Sequence, residues 1–215
     1  MQLDLTFDNI IPENITANYI SSSPLWNNKF CFKEKEYYLI RSISGKGKST
    51  LINILSGKNI NYNGTQHHNK SNCENFNAEK WIQVRKNEIA LVNQDLKLID
   101  HLTVMDNLIL KLELTAFVNN NIINDYLIKL GIEELKDKKC YFLSMGQLQR
   151  VAIIRGLLQP FKWILLDEPF SHLDQENKDI ALELIINSAK KQNAGIILTT
   201  LAIKEELNLF KAIDL

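Results

Sequence analysis

Short, uniformly apolar runs recur along this sequence of 215 residues, and helical patterns separate them. Residues 89–92 form one such run, which predicts a buried strand with Gln94 at its C-terminal end. Residues 163–166 form a second run, which ends in two acidic residues, and residues 196–198 form a third. Buried strands that alternate with helices are typical of a parallel sheet with both faces covered. The pattern therefore predicts an α/β fold with a mostly parallel sheet flanked by helices.

A long helical pattern occupies the middle of the chain. It extends from residue 103 to residue 143, with a polar break at residues 118–121. Another helix is predicted to begin at Ser144, because a serine followed three residues later by glutamine has the form of a capping box. We therefore expect a single domain over residues 1–215, with a small helical subdomain at about residues 95–158 inserted in its core.

Residues 58–80 show little periodicity and are rich in asparagine, lysine and other polar residues. This composition predicts turns and short edge strands. His67 and His68 lie in the segment, but no other ligands stand near them in the sequence, so we do not expect a metal site there. A last helix is predicted from about Asp174 to residue 191.

The composition of the chain limits its possible partners, the state of its cysteines and its possible relation to a membrane. Twenty-five basic residues balance twenty-five acidic ones, so no net positive field favours a nucleic-acid partner. Cys31, Cys73 and Cys140 are far apart, which suits reduced cytosolic thiols better than a disulfide framework. No uncharged run approaches the roughly 18 residues that a membrane span needs. Any role at a membrane therefore requires a partner that spans it.

The strongest local motif is a turn rich in serine and glycine that precedes a predicted helix over residues 48–55. Gly45 and Gly47 allow backbone N–H groups to turn inward around phosphate oxygens, and Lys48 can reach the β- and γ-phosphates. The Ser49 hydroxyl can bind Mg²⁺, and the helix N-terminus adds the positive end of its dipole. These features predict a P-loop that binds a nucleoside triphosphate. The candidate ligands in the loop are Ser42, Ser44, Gly45, Lys46, Gly47, Lys48, Ser49 and Thr50.

Ser42 departs from the strict P-loop pattern, which has glycine at this position. A serine there would be strained by about 1–3 kcal/mol if the backbone had to be left-handed. A Gly-Lys-Ser turn without function is the alternative interpretation, and the other motifs of the chain count against it.

Two acidic residues, Asp167 and Glu168, follow the apolar run at residues 163–166. Asp167 is a candidate Mg²⁺ ligand, directly or through water, and Glu168 is the candidate catalytic residue that polarises the attacking water. A solvated strand end without function is the alternative for such a pair.

A third motif points to a family. Residues 143–152 read Leu-Ser-Met-Gly-Gln-Leu-Gln-Arg-Val-Ala, which resembles the signature motif of ABC proteins, usually written LSGGQ. Met145 replaces the first glycine of that motif. The resemblance implies that the signature helix of one subunit caps the γ-phosphate of ATP held by the P-loop of a second subunit. The residues implied in this contact are Ser144, Met145, Gly146 and Gln147.

The resemblance extends to other positions and covers nearly the whole chain. Tyr19 is similar to the aromatic residue that stacks on adenine, and a tyrosine that fills the core is an equal alternative. Gln94 is similar to the glutamine that links Mg²⁺ to the helical subdomain, so the implied metal ligands are Ser49, Gln94 and Asp167. Residues 171–174 resemble the loop that follows the acidic strand.

Two features depart from the family. Leu201 stands where the family has a histidine that contacts the γ-phosphate. Leucine cannot donate a hydrogen bond, and the loss of one such contact can cost on the order of 10²–10³ in rate. We therefore expect slow hydrolysis, with ATP binding less affected. The chain also ends at residues 212–215, about where the family begins a last strand, so we expect that edge strand to be absent or its edge to be covered otherwise.

The resemblance implies an ATP-binding subunit of an ABC transporter, an ATPase that uses ATP and Mg²⁺ and drives a separate membrane-spanning subunit. It implies a homodimer or heterodimer that is cytoplasmic and peripheral on the inner face of the cell membrane. A degenerate regulatory subunit with little hydrolysis is the alternative. A chromosome-maintenance or DNA-repair ATPase is disfavoured, because Ser144 follows Ser49 by only 95 positions and leaves no room for a long coiled coil.

Overall fold

The computed structural model describes residues 3–59, 61–115, 121–201 and 207–215. Within these residues the strands form one sheet of five strands and one of four. In chain order the elements are β1 (Leu5–Pro12), α1 (Ala17–Ser22), β2 (Lys29–Phe32), β3 (Tyr37–Arg41), α2 (Lys48–Leu55), β4 (Tyr62–His68), β5 (Ser71–Asn72), α3 (Ala78–Asn87), β6 (Ile89–Val92), α4 (Val104–Thr115), α5 (Asn121–Lys129), α6 (Met145–Leu157), β7 (Trp163–Asp167), α7 (Gln175–Gln192), β8 (Gly195–Thr200) and β9 (Lys211–Asp214).

The larger sheet is parallel, with the strand order β6-β7-β8-β3-β9. Strand β7 is buried along its whole length, which explains why the run before Asp167 is uniformly apolar. The C-terminal ends of parallel strands meet at one edge of a sheet, so the segments that follow β3, β6, β7 and β8 come together there. The predicted α/β fold with a mostly parallel sheet is confirmed.

The smaller sheet is antiparallel, with the order β2-β1-β4-β5. Strand β5, only two residues long, is a short edge strand of the kind predicted for residues 58–80. Strand β4 lies between β1 and β5, so the prediction of an edge strand is wrong for β4. Pairing with β1 satisfies the backbone of this polar strand. Gln66 of this strand is fully buried, and its Nε2 donates a hydrogen bond to the backbone oxygen of Leu55 at 3.3 Å.

Helix α3 is a second element that the sequence pattern does not predict. Its N-cap is Asn77, whose side-chain oxygen accepts a hydrogen bond from the backbone N–H of Lys80 at 2.8 Å. Its two buried residues, Trp81 and Val84, are three positions apart and face the core. Only one narrow stripe of this helix is apolar, which explains why its periodicity is weak.

The helices between β6 and β7 pack on the larger sheet. Helices α4 and α5 contact α6, and all three contribute to one buried cluster with the sheet, in which Leu108, Leu127 and Val151 are fully buried. Most of the predicted break at residues 118–121 lies outside the described residues. Helix α5 begins at Asn121, the last residue of that break.

Two remaining predictions concern the end of the chain. Helix α7 is confirmed, and Asp174 caps it by accepting a hydrogen bond from the N–H of Asn177 at 2.8 Å. The expected absence of a last strand is wrong, because β9 pairs with β3 and forms the edge of the sheet. Arg41 and Asp214 join these two strands through hydrogen bonds of 2.8 and 3.0 Å.

Among the described helices, none is both long enough and apolar enough to cross a membrane.

Candidate functional site

A glycine-rich loop connects β3 to α2 at the C-terminal edge of the larger sheet. Gly45 and Gly47 have left-handed backbones, with φ of 83° and 97°. A Cβ atom on Gly47 would lie 2.3 Å from Cδ1 of Ile15, so a side chain here would also require the Ile15 side chain to move. Ser42 is not left-handed, so the strain expected of a serine at this position is absent.

Lys48, the first residue of α2, reaches back across this loop. Its ammonium donates hydrogen bonds to the backbone oxygens of Ser42 and Ile43, both at 3.0 Å. It also lies 3.4 Å from Oε1 of Glu168. The lysine side chain is only 3% exposed, and a buried cation needs such partners. Lys48 therefore holds a buried positive charge against the glycine-rich loop and beside Glu168.

The acidic pair lies at the end of β7 and is buried. The side chain of Asp167 accepts a hydrogen bond from the Thr199 hydroxyl at 2.9 Å. Glu168 has a left-handed backbone, with φ of 49°, which few residues other than glycine and asparagine adopt. Gln94 follows β6, and its amide lies 3.5 Å from Oε2 of Glu168. Three sequence-predicted residues, Lys48, Gln94 and Glu168, thus meet at one point.

A cleft of about 410 Å³ opens beside this point. The three predicted metal ligands, Ser49, Gln94 and Asp167, all line it. Hydroxyl, amide and carboxylate oxygens are the hard donors that Mg²⁺ prefers, so this set of side chains fits Mg²⁺. Lys58 also lines the cleft, and burial lowers the pKa of its ammonium group.

The signature segment begins α6. Ser144 accepts a hydrogen bond from the N–H of Gln147 at 3.3 Å, and the Gln147 side chain accepts one from the N–H of Ser144 at 2.9 Å, which confirms the predicted capping box. Ser144 and Met145 are exposed. A Cβ atom on Gly146 would lie 2.8 Å from the backbone oxygen of His172, so the start of α6 packs closely on the loop after Glu168.

Tyr19 lies next to the glycine-rich loop. It belongs to the short helix α1 and is half-buried. The ammonium of Lys46 lies 5.2 Å from the centre of its ring, within the range of a cation–π contact. The remaining predicted loop residues differ in exposure: Ser44 is exposed and Thr50 is half-buried.

Two polar residues that the sequence does not single out also contact the acidic pair. Thr199 hydrogen-bonds to Asp167 and also accepts from the N–H of Glu168, at 3.1 Å. Gln149 of α6 donates to Ser171 Oγ at 2.8 Å and to the backbone oxygen of Glu168 at 3.4 Å. Gln149 belongs to the signature segment of residues 143–152, but the contacts of both residues depend on how β7, β8 and α6 are placed, so the sequence alone does not predict them.

Leu201 follows β8 and is 47% exposed. It lines a cavity of about 370 Å³ together with Glu168 and Phe170. The structure therefore places this leucine beside the candidate catalytic residue, as the position of the family histidine implies. Residues 202–206, which follow Leu201, lie outside the described residues.

Comparisons with known proteins agree with this geometry. The family model described as ABC transporter matches residues 25–171. The chain is 30% identical over 184 residues to the ABC transporter ATP-binding protein YxdL of Bacillus subtilis, with 84% of this chain and 72% of that protein covered. It is 33% identical over 198 residues to the phosphonates import ATP-binding protein PhnC of Fusobacterium nucleatum, with 86% and 79% covered.

A solved structure has the same fold. It is the dimeric, post-hydrolysis state of the ATP-binding cassette MJ0796 bound to ADP and Pi. The TM-score is 0.79 at 23% sequence identity, and the match covers 91% of this chain and 87% of that one.

Proposed function

The chain belongs to the ABC transporter family, and from this premise we propose that it hydrolyses ATP to drive a separate membrane-spanning subunit. ABC ATP-binding domains are ATPases. The observation that carries the proposal is the convergence of Lys48, Gln94 and Glu168 on one buried point beside the glycine-rich loop. Phosphoryl transfer uses a cation that binds the phosphates and a group that orients the attacking water, and Lys48 and Glu168 would supply these two groups.

Each residue has a defined part in the proposed reaction. The N–H groups of the loop and the Lys48 ammonium bind and orient the phosphates of ATP, with Tyr19 placed to stack on the adenine. Glu168 accepts a hydrogen bond from the attacking water and holds it in line with the γ-phosphate. Ser49, Gln94 and Asp167 would hold Mg²⁺, which neutralises charge on the phosphates when it is bound.

A second subunit would complete the site. The exposed N-terminus of α6 carries a satisfied capping box, and its free N–H groups and helix dipole suit an anion. We propose that Ser144, Met145, Gly146 and Gln147 contact the γ-phosphate of ATP bound to a second copy or a paralogue. Gly146 lies against the loop after Glu168, so this contact would also reach the acidic pair of its own subunit.

The membrane-spanning partner would bind at the groove between the larger sheet and the helical subdomain, which we place at residues 95–158. The groove has a volume of about 250 Å³ and is lined in part by Leu110 and Leu114, which are 40% and 61% exposed. Arg155 also lines it and donates to the backbone oxygens of Leu96 and Lys97, both at 2.6 Å. A partner seated there would therefore act on the loop that carries Gln94, with the chain on the cytoplasmic face of the membrane.

A degenerate, regulatory subunit is the second candidate function. It is favoured by Leu201, which can neither donate a hydrogen bond nor carry charge beside Glu168. The two candidates differ in whether the purified protein releases phosphate from ATP. Turnover that the Lys48→Ala substitution abolishes would support the ATPase, and a wild-type rate equal to that of Lys48→Ala would support the regulatory subunit.

A further inference from the structure

One hydroxyl group connects the two acidic residues of the site. Thr199 Oγ1 donates to Oδ1 of Asp167 at 2.9 Å and accepts from the backbone N–H of Glu168 at 3.1 Å. We propose that Thr199 is a positioning residue for hydrolysis, an inference that rests on the proposed ATPase activity. It fixes the carboxylate of Asp167 and the backbone of Glu168 relative to each other.

The sheet itself brings these residues together. Strands β7 and β8 are parallel neighbours, and Asp167 stands opposite Thr199 in their register. Thr199 is completely buried. A buried hydroxyl costs free energy unless it is hydrogen-bonded, and here both its donor and its acceptor capacity are used. The preceding residues of β8 are apolar, so β-sheet packing alone does not require a hydroxyl at this position.

Glu168 needs such a support because of its backbone. A left-handed conformation at a residue with a large side chain is costly and persists only where the surroundings hold it. The Thr199 hydroxyl holds the N–H of Glu168, and the Gln149 amide holds its carbonyl oxygen at 3.4 Å. The backbone conformation of Glu168 determines the direction of its side chain. The hydroxyl of Thr199, by holding that backbone, therefore orients the Glu168 carboxylate toward Lys48.

The test compares two substitutions at this position. Thr199→Val keeps the shape and the β-branch but removes both hydrogen bonds, whereas Thr199→Ser keeps the hydroxyl. Thr115→Val is the matched control, because within the described part of the chain the buried Thr115 hydroxyl bonds only to backbone oxygens of the helical region, among them that of Leu158 at 3.1 Å. For each variant, kcat and KM for ATP are measured by phosphate release, and ATP affinity and thermal midpoint are measured separately.

We expect Thr199→Val to lower kcat by about 10- to 100-fold, since a small displacement of a catalytic group has effects of this size. ATP affinity measured without Mg²⁺ should remain close to that of the wild type, because Thr199 touches neither the glycine-rich loop nor Lys48 among the described residues. Thr199→Ser should retain most of the activity. Thr115→Val should change neither parameter, even if it lowers the thermal midpoint as much as Thr199→Val does.

Three results would overturn the inference. The first is a Thr199→Val variant with wild-type kcat. The second is a loss of kcat that Thr199→Ser shares or that Thr115→Val reproduces, because either would indicate general loss of stability. The third is a wild-type rate no higher than that of Lys48→Ala, which would overturn the proposed ATPase activity together with the inference.

Discussion

Lys48 and Glu168 form a buried ion pair across the candidate site, with 3.4 Å between Nζ and Oε1. Each charge compensates the other when no phosphate is bound. If a γ-phosphate bound the ammonium of Lys48, the carboxylate of Glu168 would lose its ion-pair partner. It could then accept a hydrogen bond from water. The same lysine would thus hold the glutamate before ATP binds and free it afterwards.

Removal of the cation should destabilise the protein in the absence of nucleotide. In Lys48→Ala the Glu168 carboxylate stays buried and, among the described residues, keeps only the weaker contact with Gln94, so we expect a loss of up to about 3 kcal/mol in the free energy of unfolding. Urea unfolding measures this loss. Lys97→Ala is the control, because its pair with Asp95 is 65% and 59% exposed and should contribute roughly 0–1 kcal/mol. Equal losses for the two variants would contradict the role of burial.

Glu168→Gln should trap the ATP-bound dimer. The amide can still contact Lys48 and Gln94 but cannot act as a base, so ATP should bind, bring two subunits together and remain intact. Size-exclusion chromatography at saturating ATP should show a dimer for this variant and a monomer without nucleotide. The double substitution Lys48→Ala with Glu168→Gln serves as the control and should stay monomeric. A monomeric Glu168→Gln variant at saturating ATP would count against the proposed dimer.

Leu201→His should raise the rate of hydrolysis. Leu201 lies beside Glu168 at the cavity where the family histidine is expected, and a histidine there could donate a hydrogen bond to the γ-phosphate. The gain should reach at most about 10²–10³ in kcat, with little change in ATP affinity. Phosphate release and nucleotide binding measure the two quantities. Leu201→Ile is the control for altered packing. An unchanged rate in Leu201→His would show that Leu201 does not limit turnover.

The parts of the structure that the sequence predicts are those with local signals. The uniformly apolar run at residues 163–166 and the capping box at Ser144 each depend on residues close together in the chain, and both are confirmed. The interior position of β4 in its sheet was not predicted, because it depends on pairing with β1, which lies 50 or more positions earlier in the chain. Thr199 was missed for the same reason, because its role depends on the register between β7 and β8.

The half-buried Lys111 of the helical region should make stability depend on pH. Burial, with a smaller contribution from the nearby Arg155 guanidinium, lowers the pKa of Lys111 to about 8. In an unfolded chain a lysine has a pKa near 10.4, so between these values the unfolded state binds more protons than the folded state. The free energy of unfolding contributed by Lys111 must therefore rise with pH in this window and be constant below it.

The difference between the wild type and Lys111→Met isolates this contribution from other groups that titrate at high pH. We expect the wild type to gain on the order of 1–3 kcal/mol relative to the variant between pH 8 and pH 10. Urea unfolding at each pH gives the difference, and Lys129→Met, at an exposed position of α5, is the control. A difference that does not change between pH 7 and pH 10 would contradict the lowered pKa. Because Lys111 also lines the groove proposed for the membrane partner, its charge below pH 8 would favour an acidic or carbonyl-bearing segment there.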